Sequence, residues 1–93
     1  MNLPVNYDNL NNKDKRAVRE EYIKLQNGKC YYCGEPLDKR VSSNVRYQAI
    51  DVGLFPKGFF NSPIHLHHNH STNMTIGAVH CYCNAVMWQY DEE

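Results

Sequence analysis

Apolar residues recur along this chain with two different periods, and the change of period marks out its elements. Val18, Tyr22 and Leu25 stand at i, i+4 and i+7, which is one stripe of a helix. The stripe predicts a helix over residues 13–26, with Asn12 as its N-cap and Gly28 in the left-handed turn that ends it. Glu20 and Lys24 form a favourable i, i+4 pair on the exposed side. Further on the period drops to two. Ile64 and Leu66 alternate with His65 and His67, as in a half-buried strand, and residues 69–73 are polar and turn-like. Residues 75–79 read as a second strand with Gly77 inside it. Residues 84–90 read as a helix in which Ala85 shares a face with Trp88, and Val86 with Tyr90.

The remainder is less regular. Residues 1–11 read as an irregular, Asn-rich arm. Residues 38–62 carry a short expected strand at 45–52 and an apolar loop in which Phe55, Phe59 and Phe60 are assigned to packing rather than to stacking on bases. Asp91, Glu92 and Glu93 oppose the dipole at a helix C-terminus, so fraying is expected there. The sum is a single α+β domain over residues 1–93: an N-terminal helix, a cysteine turn, then strand, turn, strand and helix.

Size and composition add three constraints. A chain of 93 residues makes one domain with a modest core, a class that often needs a covalent or metal staple. No run of about 18 apolar residues exists, so no membrane span is expected. The first ten residues lack the apolar stretch of a secretory signal, so a cytoplasmic location is expected. Net charge is zero, but residues 13–46 hold nine Lys/Arg against five Asp/Glu, while the C-terminus is acidic. That asymmetry suits a one-sided phosphate-binding surface and equally suits an ordinary solvated helix face.

In a reducing compartment, closely paired cysteines favour metal over disulfide. Cys30-Tyr31-Tyr32-Cys33 has the usual two-residue gap, and Gly34 and Pro36 after it supply the tight turn of a metal knuckle. The second half of the site has two readings. His80 and Cys83 are also separated by two residues, whereas Cys81 and Cys83 are separated by only one. A structural Zn²⁺ on Cys30, Cys33, His80 and Cys83 is favoured over a four-cysteine site, with Cys81 as a small buried residue. A redox role for Cys30 and Cys33 lacks the βαβ context such a motif needs.

Four of the five histidines fall between positions 65 and 70. Histidine serves as metal ligand or as general base near neutral pH, and phosphodiester hydrolysis needs both. Adjacent residues at a strand end point to opposite sides. His67 and His68 therefore do not share one ion readily. They can address one phosphate from two directions, one through a metal and one through a water.

With these residues in view, residues 63–90 resemble the ββα-metal motif (His-Me finger) of HNH endonucleases, in the phage branch similar to recombination endonuclease seven. That branch reads Asp-His-x-His, a Thr-Gly turn, then Gly-Leu-Leu-Cys-x-x-Cys-Asn. This chain has His67-His68-Asn69-His70, Ser71-Thr72-Asn73 and Gly77-Ala78-Val79-His80-Cys81-Tyr82-Cys83-Asn84, aligned without a gap. Cys30 to Gly34 matches the family's first zinc knuckle. The resemblance implies His68 as general base, His67 and Asn84 as ligands of a catalytic divalent metal, and His70 as a supporting active-site histidine. It also sets His80 where the family has its third zinc cysteine.

The small site suggests one metal and one strand per event, so a monomer is expected to nick double-stranded DNA, in the host-cell cytoplasm if the protein is phage-encoded; the resemblance further implies a phage terminase as partner. Three positions depart from the family. His67 replaces an Asp, and imidazole is softer than carboxylate, so Mn²⁺, Ni²⁺ or Co²⁺ is expected to serve better than Mg²⁺. Asn73 replaces the turn glycine and still tolerates the left-handed conformation. Ile76 replaces an Arg, which leaves one phosphate contact to be supplied elsewhere, with Arg46 and Lys57 as candidates. The competing reading is a non-catalytic, zinc-stapled DNA-binding or adaptor module.

Overall fold

A computed structural model describes residues 2–90. Its elements are α1 (Asn12–Leu25), α2 (Ser43–Arg46), β1 (Ile64–His68), β2 (Thr75–His80) and α3 (Cys81–Tyr90), with single 3-10 turns at Tyr7–Asn9, Val52–Leu54 and Phe59–Asn61. It is a small α+β structure with one two-stranded antiparallel sheet. The expected fraying of residues 91–93 lies outside the described residues. No helix among the described residues is long and apolar enough to cross a membrane.

The cap of α1 is Asn11, one residue before the expected Asn12. Asn11 is extended, and its side chain accepts from the Asp14 N–H at 2.8 Å. Val18 and Tyr22 enter the core as the periodicity predicts, but Leu25 is 64% exposed. The helix ends there. Asn27 and Gly28 both take positive φ, and the Gly28 N–H bonds back to the Ile23 carbonyl. The place expected for Leu25 falls to Gln26, which lies against β2. Its Nε2 donates to the Ala78 and Lys29 carbonyls, and its Oε1 accepts from the Ala78 N–H at 2.9 Å. A side-chain amide thus closes the outer edge of the sheet as a neighbouring strand would. Gly77 makes the approach possible, because a Cβ there would lie 2.7 Å from Gln26 Oε1.

The strands pair from Ile64 opposite His80 to His68 opposite Thr75, with an irregularity between His67 and His68. Thr75 follows Gly77 in the pairing, so Ile76 is the extra residue of a bulge on β2. The N-terminal arm, read as irregular, is ordered against the far end of this strand. Thr75 N–H donates to the Val5 carbonyl, Asn6 bridges Met74, and Tyr7 N–H donates to the Asn73 carbonyl.

The strand expected at 45–52 is absent. Residues 43–46 form one helical turn that buries Val45, and residues 52–54 form a 3-10 turn. On the β2 side, Gln26 and the Tyr31 N–H already occupy the Ala78 edge, which closes that edge to a third strand. The last helix also begins earlier than residue 84. β2 runs to His80 and α3 starts at Cys81 without a loop, where the Cys81 N–H bonds to the Pro63 carbonyl at 2.8 Å. Val18, Tyr22, Leu37, Val45, Val79, Val86 and Met87 form the core between the helices and the sheet.

Candidate metal centre and histidine cleft

Two short segments converge on the cysteines. In the first, the Cys30 N–H bonds to the Glu35 carbonyl and the Gly34 N–H to the Cys30 carbonyl, curling the chain around the Cys30 and Cys33 sulfurs. Gly34, at φ 81°, permits that curl. The second segment is the seamless junction of β2 and α3, which carries His80 and Cys83. The ligand atoms of Cys30, Cys33, His80 and Cys83 lie within 4.8 Å of one another. Tetrahedral zinc–sulfur bonds of about 2.3 Å separate neighbouring sulfurs by about 3.8 Å, so a small inward movement completes the shell.

The histidine is oriented for the task. Its Nε2 lies 3.0 Å from the Pro36 carbonyl and 2.9 Å from the Lys39 carbonyl, so Nε2 carries the hydrogen. Nδ1 is then the unprotonated nitrogen, and it faces Cys33 Sγ at 3.4 Å and Cys83 Sγ at 3.7 Å. Such carbonyl anchoring of the far ring nitrogen is the usual support for a metal-bound imidazole. The Cys30 thiol is held down to about 4, chiefly by a hydrogen bond from Cys83, with backbone N–H groups adding to it. Cys83 moves far upward in return, because it holds the shared proton next to that thiolate. Three sulfurs and a directed imidazole suit a thiophilic cation, which would displace the shared proton. Cys81 stands outside the set. It is half-buried rather than fully buried, and burial raises its thiol pKa.

On the other side of the same junction a cleft of about 630 Å³ opens between α1, β1 and α3. His67, His68, His70 and Asn84, the four residues singled out by the motif, all line it, and so does His65. His67 is buried, with 4% exposure. His68 stacks face to face on Tyr7, ring centroids 3.9 Å apart and planes 11° from parallel, while Lys15 Nζ sits 4.3 Å from the Tyr7 centroid. His70 lies 4.8 Å from His68 and meets the edge of Trp88 at 5.3 Å. Burial lowers the pKa of His68, and neighbouring His70 and His67 lower it further by repelling a second positive charge.

Asn84 comes from the first turn of α3 and engages His65. Its Nδ2 donates to His65 Nδ1 at 3.1 Å. Burial holds the His65 pKa below its usual value, which keeps that ring an acceptor. With Nδ2 so committed, Oδ1 is the Asn84 atom that can face a cation. The sequence reading did not assign His65 this part, although its i−2 spacing from His67 set both on one face of the strand.

Compared with known proteins, the chain matches no family model, no curated protein and no solved structure. The likeness to HNH endonucleases therefore rests on the motif residues alone.

The cations of the cleft come from α1. Lys15, Arg16 and Arg19 line it, as does Asn12, and no acidic residue does among the described residues. Positions 12, 15, 16 and 19 follow i, i+3, i+4 and i+7, a polar stripe that was visible in the sequence. Arg46 and Lys57 do not take this role. Arg46 borders a second depression beside His80, Cys81 and Tyr82, and Lys57 is outside the cleft lining. Arg19 is further fixed by its guanidinium, which reaches the Ile64 carbonyl at 3.4 Å.

Proposed function

We propose that this protein is a metal-dependent endonuclease of the HNH type that hydrolyses DNA phosphodiester bonds, with a ββα-metal unit formed by β1, β2 and α3. The observation that carries the reading is the convergence of His67, His68, His70 and Asn84 with Lys15, Arg16 and Arg19 in one cleft. A histidine held below its usual pKa, such as His68, beside cationic side chains suits a phosphodiester. The cations hold its negative charge, and an imidazole with a lowered pKa remains unprotonated at neutral pH.

In this reading His68 removes the proton from a water as its oxygen attacks phosphorus in line, and the P–O bond to the 3′ oxygen breaks. The Tyr7 face holds the His68 ring in one plane throughout. His67 and Asn84 Oδ1 are the residues that would hold a catalytic divalent cation, and His70 supports the site. When bound, that cation neutralises charge on the phosphate and the leaving oxygen. An imidazole and an amide in place of a carboxylate favour Mn²⁺, Ni²⁺ or Co²⁺ over Mg²⁺. A structural zinc on Cys30, Cys33, His80 and Cys83 fixes the start of α3, and with it Asn84.

The test is nicking of supercoiled plasmid by wild type and by His68→Ala, each with and without Mn²⁺. Nicking by wild type with Mn²⁺ and by no other combination is expected. DNA binding by both proteins with cleavage by neither would favour a non-catalytic, zinc-stapled DNA-binding module instead.

A further inference from the structure

The cleft has two unlike walls. One is the cationic stripe of α1. The other is aromatic and is built on Trp88, the only tryptophan of the chain, which is 49% exposed. Trp88 stands four residues after Asn84 on α3, so the two share a helix face at an axial separation of about 6 Å. That is comparable to the reach from a phosphate to the base of its own nucleotide. Phe55 supports the indole edge-on at 6.4 Å, and Phe55, Phe59 and Phe60 pack on one another behind it with centroids 4.8–5.7 Å apart. His70 closes the near side. An indole flanked by Phe55 and His70 and half open to solvent beside a cationic wall is not accounted for by core packing, since neither Trp88 nor Phe60 is buried.

We propose that Trp88 is a nucleobase-stacking subsite of this cleft, and that it takes a base of single-stranded DNA adjacent to the phosphate held at the histidines. A base within a continuous duplex is covered on both faces by its neighbours, so only an unstacked nucleotide can offer a face to the indole. The two walls divide the ligand accordingly: α1 takes the backbone and Trp88 takes the base. The proposal rests on the reading of the cleft as a nucleic-acid site, but not on cleavage.

The single tryptophan makes the test direct. Wild-type protein carrying its structural metal, with no further divalent cation added, is titrated at low salt with three probes. These are a short oligothymidylate, an abasic oligomer of the same length, and a hairpin duplex of equal charge. Oligothymidylate is expected to quench Trp88 fluorescence, while the abasic and duplex probes leave it nearly unchanged. By anisotropy of a labelled oligothymidylate, Trp88→Ala should bind about 5- to 150-fold more weakly, the range for one lost stacking contact, and Trp88→Phe should recover most of the affinity. Circular dichroism and metal content of both variants establish that they are folded. Equal quenching by the abasic oligomer, or Trp88→Ala affinity within about 2-fold of wild type, overturns the subsite. Quenching and the Trp88→Ala loss without any plasmid nicking would uphold the subsite and remove the nuclease. Nicking with an indifferent Trp88 would do the reverse.

Discussion

Cys33→Ser is the perturbation that isolates what the metal centre contributes to the fold. Cys33 is a candidate ligand that is only half-buried, so serine in its place removes the sulfur without leaving a polar group in a dry core. The same exchange at Cys83, which is fully buried, would mix loss of ligation with a packing defect. A metal held by these residues would join Cys33 to His80, 47 residues later. Closing a loop of that length removes about 4 kcal/mol of chain entropy from the unfolded state, by the relation used for disulfides. A domain of 93 residues has a total stability of about 5–14 kcal/mol. Such a cross-link would be a large share of the whole. Loss of about 4 kcal/mol lowers the Tm of a domain this size by about 15–30 °C. The assay is a thermal melt by circular dichroism in reducing buffer, paired with zinc content per chain, for wild type, Cys33→Ser and Cys81→Ser. The first variant should lose its zinc and melt early, and the second should retain both properties. A Cys33→Ser protein with one zinc and a Tm within about 4 °C of wild type, or a Cys81→Ser protein without zinc, would refute the assignment.

Three further outcomes are expected. His68 accepts a proton only as the neutral ring, and its pKa lies below the ordinary 6.5. Nicking should therefore be lost as pH falls, with a midpoint under 6.5, and be level through pH 7; a single-turnover pH profile with its midpoint above 6.5 contradicts this. Gly77→Ala pushes a methyl to 2.7 Å from Gln26 Oε1 and 3.1 Å from Tyr31. Gln26 is held by bonds to Ala78 and Lys29 and yields only by breaking them, so a denaturant titration should show a loss of about 1–3 kcal/mol. Lys15→Ala with Arg19→Ala should weaken DNA binding and flatten its salt dependence by about 0.9 in the log–log slope per lost phosphate contact. An unchanged slope would remove α1 from the interface.

How much could be read from the sequence differs by element, and the differences have causes. Val18 and Tyr22, the alternation at Ile64–His67 and the 30/33/80/83 ligand spacing are local patterns, and local patterns survive folding. Leu25 broke its stripe because the helix stopped at that residue and Gln26 found backbone groups to bond. Residues 45–52 have strand-like composition, yet a strand needs an open edge, and the Ala78 edge of β2 was taken by Gln26 and Tyr31. The positions of Lys15, Arg16 and Arg19 followed helical spacing, but their use required knowing which side of α1 faces β1. The stacking of Tyr7 on His68 joins residues 61 positions apart in the numbering, and no local pattern encodes it.

The Tyr7–His68 stack has a consequence for how mutations will map onto this chain. The arm is clasped to the turn after β1 by Val5, Asn6 and Tyr7, and by the Asn73 amide, which donates to the Asp8 carboxylate at 2.7 Å. A scan of single substitutions should consequently show a sensitive island at residues 5–8, isolated in the linear sequence and distant from the histidine segment. A fusion tag that crowds that island would act as an inhibitor of the cleft while leaving the core intact. A silent protein with a modified amino end should be re-examined with the tag removed before its chemistry is judged.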